Sequence, residues 1–394
     1  RPFAMAVVLD GVADGNYRVV GKVMEGEEMV ASLEQGIWLA KGIDEKRGGI
    51  VERLGKIEGH EGTKASIMYP FDVARVVNIG KRGYNDQDLG INQAGVPNYL
   101  NFAAELKRSE ELLTALEAGK DPLWQAKGDV KRHYYFAQGD EIMPYRVRVP
   151  ENWDGKTPLP MVFILHGNTR NQDFYFERDG GIIPKTADKY GFMLVGVFGY
   201  HPNGGYNLSA MLGAGRGAGG GAVGRGVVGG SFGPAAVGRG GRGGGGGFMN
   251  GMPQGKIGEL SEADTMQVFD LVKKEYPIDP KRTFLFGYSA GGNGGYYIGG
   301  KYGDNWAAIA LGGANTSLGA TYPYYEKLKG LSTPFFIYYG EKDNVQNGSR
   351  VSVQALNDHG VAAELKSFPG ADHDGTPSAA VGDAFEFFSK HGRK

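Results

Sequence analysis

The chain contains no cysteine. That excludes a disulfide framework, a thiolate nucleophile and any metal site built on sulfur. It also lacks an excess of charge of either sign. The formal net charge is -1 over 394 residues, so there is no basic footprint for a nucleic acid and no acidic bias towards disorder. No apolar run approaches the roughly 18 residues that a membrane span needs, and no membrane partner is expected. The seven histidines contain no His-x-x-x-His or His-Glu-x-x-His pair, so the pattern calls for no metal and no cofactor. The chain begins at Arg1 rather than Met, which a removed signal peptide or a trimmed terminus explains equally well.

What is present is an ordinary globular composition, 41% hydrophobic, at a length that suggests two or three structural units. Residues 1–42 alternate like strands: Ala6–Leu9, Tyr17–Val23, Val30–Leu33 and Gly36–Leu39. A turn is expected at Ala13-Asp14-Gly15-Asn16. Four short strands cannot close a sandwich by themselves, so this stretch reads as part of a β-sandwich-like module. Residues 43–127 read as helical, with Ile50, Val51, Leu54 and Ile57, then Leu106, Leu112, Leu113 and Leu116, at helical spacing. Gly119 and Pro122 stop the last helix. Nothing in this stretch carries chemistry, and a packed spacer accounts for it.

From residue 128 to 394 strands and helices alternate. Tyr134–Phe136 and Pro144–Val149 look like an opening antiparallel pair. Met161–Leu165 and Phe192–Val197 are unbroken apolar runs, as strands buried on both faces require. A helix with a Ser261…Asp264 capping pattern follows. After it come strands Thr283–Phe286, Ala307–Leu311, Phe335–Tyr339 and Ala363–Phe368, with helices from Gly292, over Val351–Asp358 and over residues 378–390. This order predicts a doubly wound, mostly parallel α/β sheet. One segment fits none of it. In residues 213–247, 19 of 35 positions are glycine and the only charges are Arg216, Arg225, Arg239 and Arg242. Such a stretch cannot offset its ordering entropy by burial. It reads as an insertion into the catalytic unit, either a lid or a tolerated low-complexity segment; four arginines are too few for a nucleic-acid arm.

The chemistry centres on Gly287-Tyr288-Ser289-Ala290-Gly291, a G-x-S-x-G pattern between an apolar strand and a helix-compatible run. A serine on a tight strand-to-helix turn needs small neighbours, and a serine hydroxyl needs a base held by a carboxylate. Three histidines follow Ser289. His391 lies in the charged tail and His359 at a helix end, whereas His373 lies in a glycine-flanked loop after a strand, where a base belongs. The acid should follow Phe335–Tyr339, where Asp343 and Glu341 are available and the strand-Gly-x-x-Asp spacing favours Asp343. Asp372 and Asp374 flank His373 too closely to fold back onto its ring. For the oxyanion hole, one donor is the Ala290 amide and the other is expected from Asn168, with Thr169 as the rival. His166 reads as a residue that shapes this loop.

With these residues assembled, the chain resembles bacterial α/β-hydrolases of the feruloyl-esterase-like and prolyl-oligopeptidase-like kind. The likeness is carried by Ala118-Gly119-Lys120-Asp121-Pro122, Pro144–Pro150, Leu165-His166-Gly167, Phe198-Gly199-Tyr200, Gly204-Gly205-Tyr206, Tyr276–Arg282 and the three triad motifs. It implies an extracellular or periplasmic serine esterase acting on aryl or short-chain esters, polymer-linked or small. The chain departs from that pattern in two places. Asn168-Thr169-Arg170-Asn171 is polar where such families carry more glycine, and the Gly-rich insertion is unusual. Two other functions compete. A serine peptidase would need an anchor for the substrate's amine or a propeller-like gate, and residues 1–125 show no blade repeats. A polysaccharide- or RNA-binding module would not need the complete Ser, Asp, His set.

Overall fold

Glycine and turn chemistry decide where the first ribbon bends. A computed structural model describes residues 11–78, 102–208, 248–249, 252–314 and 322–393. Strands β1 (Gly15–Glu25) and β2 (Glu28–Leu39) pair antiparallel around Gly26-Glu27, with Gly26 at φ 63° and a register shift after Val23. The bend at 26–27 joins β1 to β2, whereas the turn expected at 13–16 would lead from Ala6–Leu9 into β1. The two short strands expected over Val30–Leu39 are one continuous strand. Among the described residues this is a two-stranded ribbon; Ala6–Leu9 fall outside them. Helices α1 (Ile43–Leu54), α2 (Glu61–Asn78) and α3 (Phe102–Glu117) follow. Their apolar faces bury Ile50, Leu54, Ile67, Phe71, Val73, Leu112, Leu113 and Leu116. Arg53 ties α1 to α3 through Glu110 and Glu117.

The chain divides into two compact units, residues 1–122 and 123–394. The β-ribbon and the three helices thus belong together, and the boundary lies at Pro122/Leu123, ahead of the 128 inferred from sequence. Residues 123–127 are held by the second unit. Leu123 O accepts from the buried Arg132 guanidinium, and the Gln125 amide donates to Glu275, which also pairs with Arg132 at 2.6 Å.

In the second unit an eight-stranded sheet is laid down in the chain order β3 (Gly128–Phe136), β4 (Glu141–Val149), β5 (Leu159–Leu165), β6 (Met193–Val197), β9 (Ile278–Tyr288), β10 (Ala308–Gly312), β11 (Phe335–Gly340) and β12 (Ala363–Phe368). A two-stranded turn, β7 (Phe248–Met249) with β8 (Met252–Pro253), comes between β6 and β9. The spatial order is β12-β11-β10-β9-β5-β6-β4-β3, parallel throughout except where β4 meets β3 and β6. That is the doubly wound α/β-hydrolase arrangement. Alternate side chains of β5 face opposite layers: Met161, Phe163 and Leu165 enter one core, Val162 and Ile164 the other. The first core is closed by α6 (Gln254–Glu275), α7 (Ala290–Lys301), α8 (Tyr325–Leu331) and α9 (Gln346–Asp358). The second is closed by α5 (Ile182–Tyr190), which follows the single turn α4 (Phe174–Glu177), and by α10 (Thr376–Lys390).

The Ser261…Asp264 pattern does not cap a helix. Helix α6 begins at Gln254, and both residues lie fully buried within it. Ser261 Oγ accepts from the Tyr206 amide, and Asp264 accepts from the Tyr134 hydroxyl and the Tyr200 amide. Short polar side chains that could have capped a helix end instead satisfy the loop after β6. The Gly-rich segment 213–247 lies outside the described residues. No described helix is long and apolar enough to cross a membrane.

The winding direction reverses between β5 and β9, and the crevice at such a reversal lies beyond the carboxyl ends of the strands. Leu165 ends β5 and Tyr288 ends β9, so the His166-Gly167 loop and Ser289 stand side by side there.

Candidate active site

Ser289 is held where a side chain would not choose to be. Its φ of 57° and ψ of -120° place it outside the ordinary regions for a residue with a Cβ. Such a conformation costs on the order of 1–3 kcal/mol and persists only when its surroundings over-determine it. They do so here. The Ser289 amide donates to Gly312 O on the neighbouring strand, and Ser289 O accepts from the Asn293 amide in the first turn of α7. A Cβ on Gly287 would stand 2.3 Å from Gly291 O, and one on Gly291 would stand 2.1 Å from Leu165 O. The two glycines of the motif are the only residues that let strand, serine and helix approach so closely.

Ser289 meets both partners expected from sequence. His373 Nε2 lies 2.9 Å from Ser289 Oγ, and His373 Nδ1 lies 2.6 Å from Asp343 Oδ2. With its proton on Nδ1 the ring donates to Asp343, and Nε2 accepts from the serine hydroxyl. The Asp343 side chain is only 2% exposed, whereas that of His373 is 44% exposed, so the carboxylate is sheltered and the ring faces the crevice. The Asp343 hydrogen bond holds the His373 pKa above its ordinary value, against the opposing effect of burial.

The rejected alternatives lie elsewhere. Glu341 is exposed and accepts from the Ser367 hydroxyl. His359 stacks on Tyr325, and His391 packs on Phe387. Asp372 accepts from the Gly375 amide, and the exposed Asp374 faces Arg170 and Arg178 at 3.7 and 3.5 Å. Neither carboxylate turns onto the His373 ring.

The loop after β5 borders the serine. A Cβ on Gly167 would lie 3.3 Å from Ser289 Cβ and 3.7 Å from its Oγ. In this loop the Thr169 amide is committed to Pro202 O and Asn203 Oδ1, each at 3.0 Å. The Asn168 amide meets no protein acceptor among the described residues. Ala290 opens α7, where backbone amides have no intrahelical partner and the helix dipole favours an anion. Among the described residues, Asn168 in the loop after β5 and Ala290 at the start of α7 thus each carry an amide without a protein acceptor. His166 is buried, with Nδ1 and Nε2 each 2.7 Å from a carbonyl oxygen, of Gly167 and Phe198. Burial lowers its pKa, and its place is inside the loop rather than at the reacting centre.

Two features were not anticipated from sequence. The Tyr288 hydroxyl donates to Asp343 Oδ2 at 3.2 Å, and its ring lies 5.2 Å from that of His373. Its signal was its place inside the motif itself. The second is the Arg170 and Arg178 guanidinium pair, 4.4 and 5.2 Å from the centre of the Phe174 ring and beside Asp374. Their pairing crosses some 200 positions of sequence, and no local pattern announces it. Among the described residues no cluster of His, Asp and Glu could hold a metal ion.

No protein-family model and no curated protein matches the chain. Solved structures do resemble it. The fluorophosphonate-binding serine hydrolase F of Staphylococcus aureus is 14% identical over 66% of this chain and 98% of its own, with a TM-score of 0.45. A ferulic acid esterase from Anaeromyces mucronatus is 18% identical over 67% and 90%, with a TM-score of 0.45. An S-formylglutathione hydrolase from Agrobacterium tumefaciens is 14% identical over 68% and 97%, again at 0.45.

Proposed function

We propose that this chain is a serine carboxylic-ester hydrolase that works through an acyl-enzyme. The observation that carries the proposal is the unbroken hydrogen-bonded line from Ser289 Oγ through His373 to Asp343, on a serine held at φ 57°. Ser289 Oγ attacks the ester carbonyl as its proton passes to His373 Nε2. Asp343 keeps the ring's Nδ1–H aimed inward and stabilises the imidazolium that forms. The oxygen of the tetrahedral intermediate takes the Ala290 and Asn168 amides, which have no other acceptor among the described residues. His373 then protonates the leaving alcohol. Water enters, its oxygen adds to the acyl carbon as its proton passes to Nε2, and collapse releases the acid while Nε2 returns that proton to Ser289 Oγ.

Aryl and short-chain esters are the substrate class we propose, supported by the motif resemblance to feruloyl-esterase-like hydrolases. The test is turnover of p-nitrophenyl acetate and butyrate and of methyl ferulate, with Ser289→Ala as the control. Turnover by the wild type alone supports the proposal. Cleavage of peptides without turnover of any ester would replace it with a peptidase.

A further inference from the structure

We infer that Tyr288 is a positioning residue for the Ser289, His373, Asp343 line, because its hydroxyl shares the carboxylate oxygen that holds the histidine. The inference builds on the reading of His373 as the base. Asp343 Oδ2 accepts two hydrogen bonds at once, from His373 Nδ1 at 2.6 Å and from the Tyr288 hydroxyl at 3.2 Å. The carboxylate is sealed from solvent, so water cannot stand in for the phenol if it is removed.

The ring of Tyr288 has no freedom to leave. Gly313 sits against it at φ 58°, and a Cβ there would stand 2.4 Å from Tyr288 Cζ. Tyr338 stacks on the ring at 5.9 Å and 25°, and His373 lies over another part of it. Burial pushes the phenol pKa up, so the group remains a donor wherever a histidine base can work. Thr376 also lies beside the phenol, and it spends its own proton on Asp372 O. The charged groups facing His373 are Asp343, Asp372 and Asp374, the last opposed by Arg170 and Arg178. Tyr288 adds no charge to this set. Its removal changes only how the Asp343 oxygen is shared.

Without the phenol, Oδ2 serves His373 alone, so the ring should hold its proton more tightly while the carboxylate gains freedom to rotate. The experiment is Tyr288→Phe in the full chain. Proton NMR follows the His373 Nδ1–H resonance against pH, and ester kinetics are measured alongside. We expect the His373 midpoint to rise by about half a pH unit, as loss of a hydrogen bond to a charged partner would cause. We also expect kcat to fall by about three- to tenfold, with KM unchanged. Gly313→Ala, which displaces the same ring, should move the midpoint as well. A midpoint and kcat that both stay at the wild-type values in a folded Tyr288→Phe protein would overturn the inference and leave Tyr288 as packing. The resonance needs no turnover. A shifted midpoint in a protein that cleaves no ester would therefore fault the proposed function alone.

Discussion

Gly291 and the carbonyl oxygen of Leu165 face each other across a gap too small for a methyl group, 2.1 Å from where a Cβ would sit. This contact joins the first turn of α7 to the end of β5, and so joins the Ala290 amide to the loop that carries Asn168. It follows that Gly291→Ala must push helix and strand apart. Overpacking of this kind costs about 1–3 kcal/mol. Denaturant titration should show that loss, and ester turnover should fall by more than the loss of folded protein explains. Wild-type turnover in this variant would contradict the tight-turn account.

Asp343 and Glu341 are two positions apart and have unlike roles. Asp343→Asn keeps the shape but cannot hold the correct His373 tautomer, and kcat should fall roughly 10³–10⁴-fold, as for buried acids in such triads. Glu341→Gln, at an exposed site bonded to Ser367, should stay within about twofold of wild type. Steady-state kinetics on one p-nitrophenyl ester decides it. Equal losses in both variants would remove Asp343 from its assigned place.

The His373 pKa is raised above its ordinary 6.5, first by the hydrogen bond to Asp343 and also by the charges of Asp374 and Asp372. A base must be unprotonated to act, so kcat/KM should fall as pH drops through a midpoint above 6.5. Asp374→Asn removes one negative charge near the ring and should move that midpoint down. Because Asp374 is exposed, salt should shrink the shift. A midpoint that moves up would reverse the assigned sign.

The second oxyanion donor is assigned to a backbone amide, so the Asn168 side chain should be dispensable. Asn168→Ala should retain activity within about threefold, whereas loss of a true oxyanion donor costs on the order of 10²–10³-fold. A loss of the larger size would place the donor on the side chain.

Much of this site could be read from the sequence because its parts are local. Gly287 to Gly291 is one pentapeptide, Asp343 follows the apolar run Phe335–Tyr339, and His373 follows the alternating strand Ala363–Phe368. The unbroken runs Met161–Leu165 and Phe192–Val197 likewise announced a sheet covered on both faces. What escaped was set by tertiary contact. Ser261 and Asp264 have the residue types of a helix start, yet they are buried against the loop after β6, which only the folded chain brings near. The choice between Asn168 and Thr169 turned on Pro202 and Asn203, some 30 positions away, which take up the Thr169 amide. In the first ribbon, Val30–Leu33 and Gly36–Leu39 looked like two strands because Gly36 resembles a break. Among the described residues the pairing with β1 carries straight through it.

The buried Arg132 and Glu275 pair makes a separate prediction about stability. It anchors residues 123–125 as well as β3, and both side chains are almost wholly buried. Glu275→Ala would leave the guanidinium buried without its counter-charge, a loss of about 3–5 kcal/mol. Chemical denaturation should show this with kcat unchanged in the folded fraction. A variant as stable as wild type would mean that the pair is exchanged freely for water.

The most direct measurement is to trap the acyl-enzyme. The protein is mixed with a slowly deacylating aryl ester or a fluorophosphonate, quenched in acid, digested and mapped by mass spectrometry. The account predicts one adduct, on the peptide containing Ser289, absent from Ser289→Ala, which should also lose ester turnover. An adduct on another residue, or turnover that survives Ser289→Ala, would contradict it.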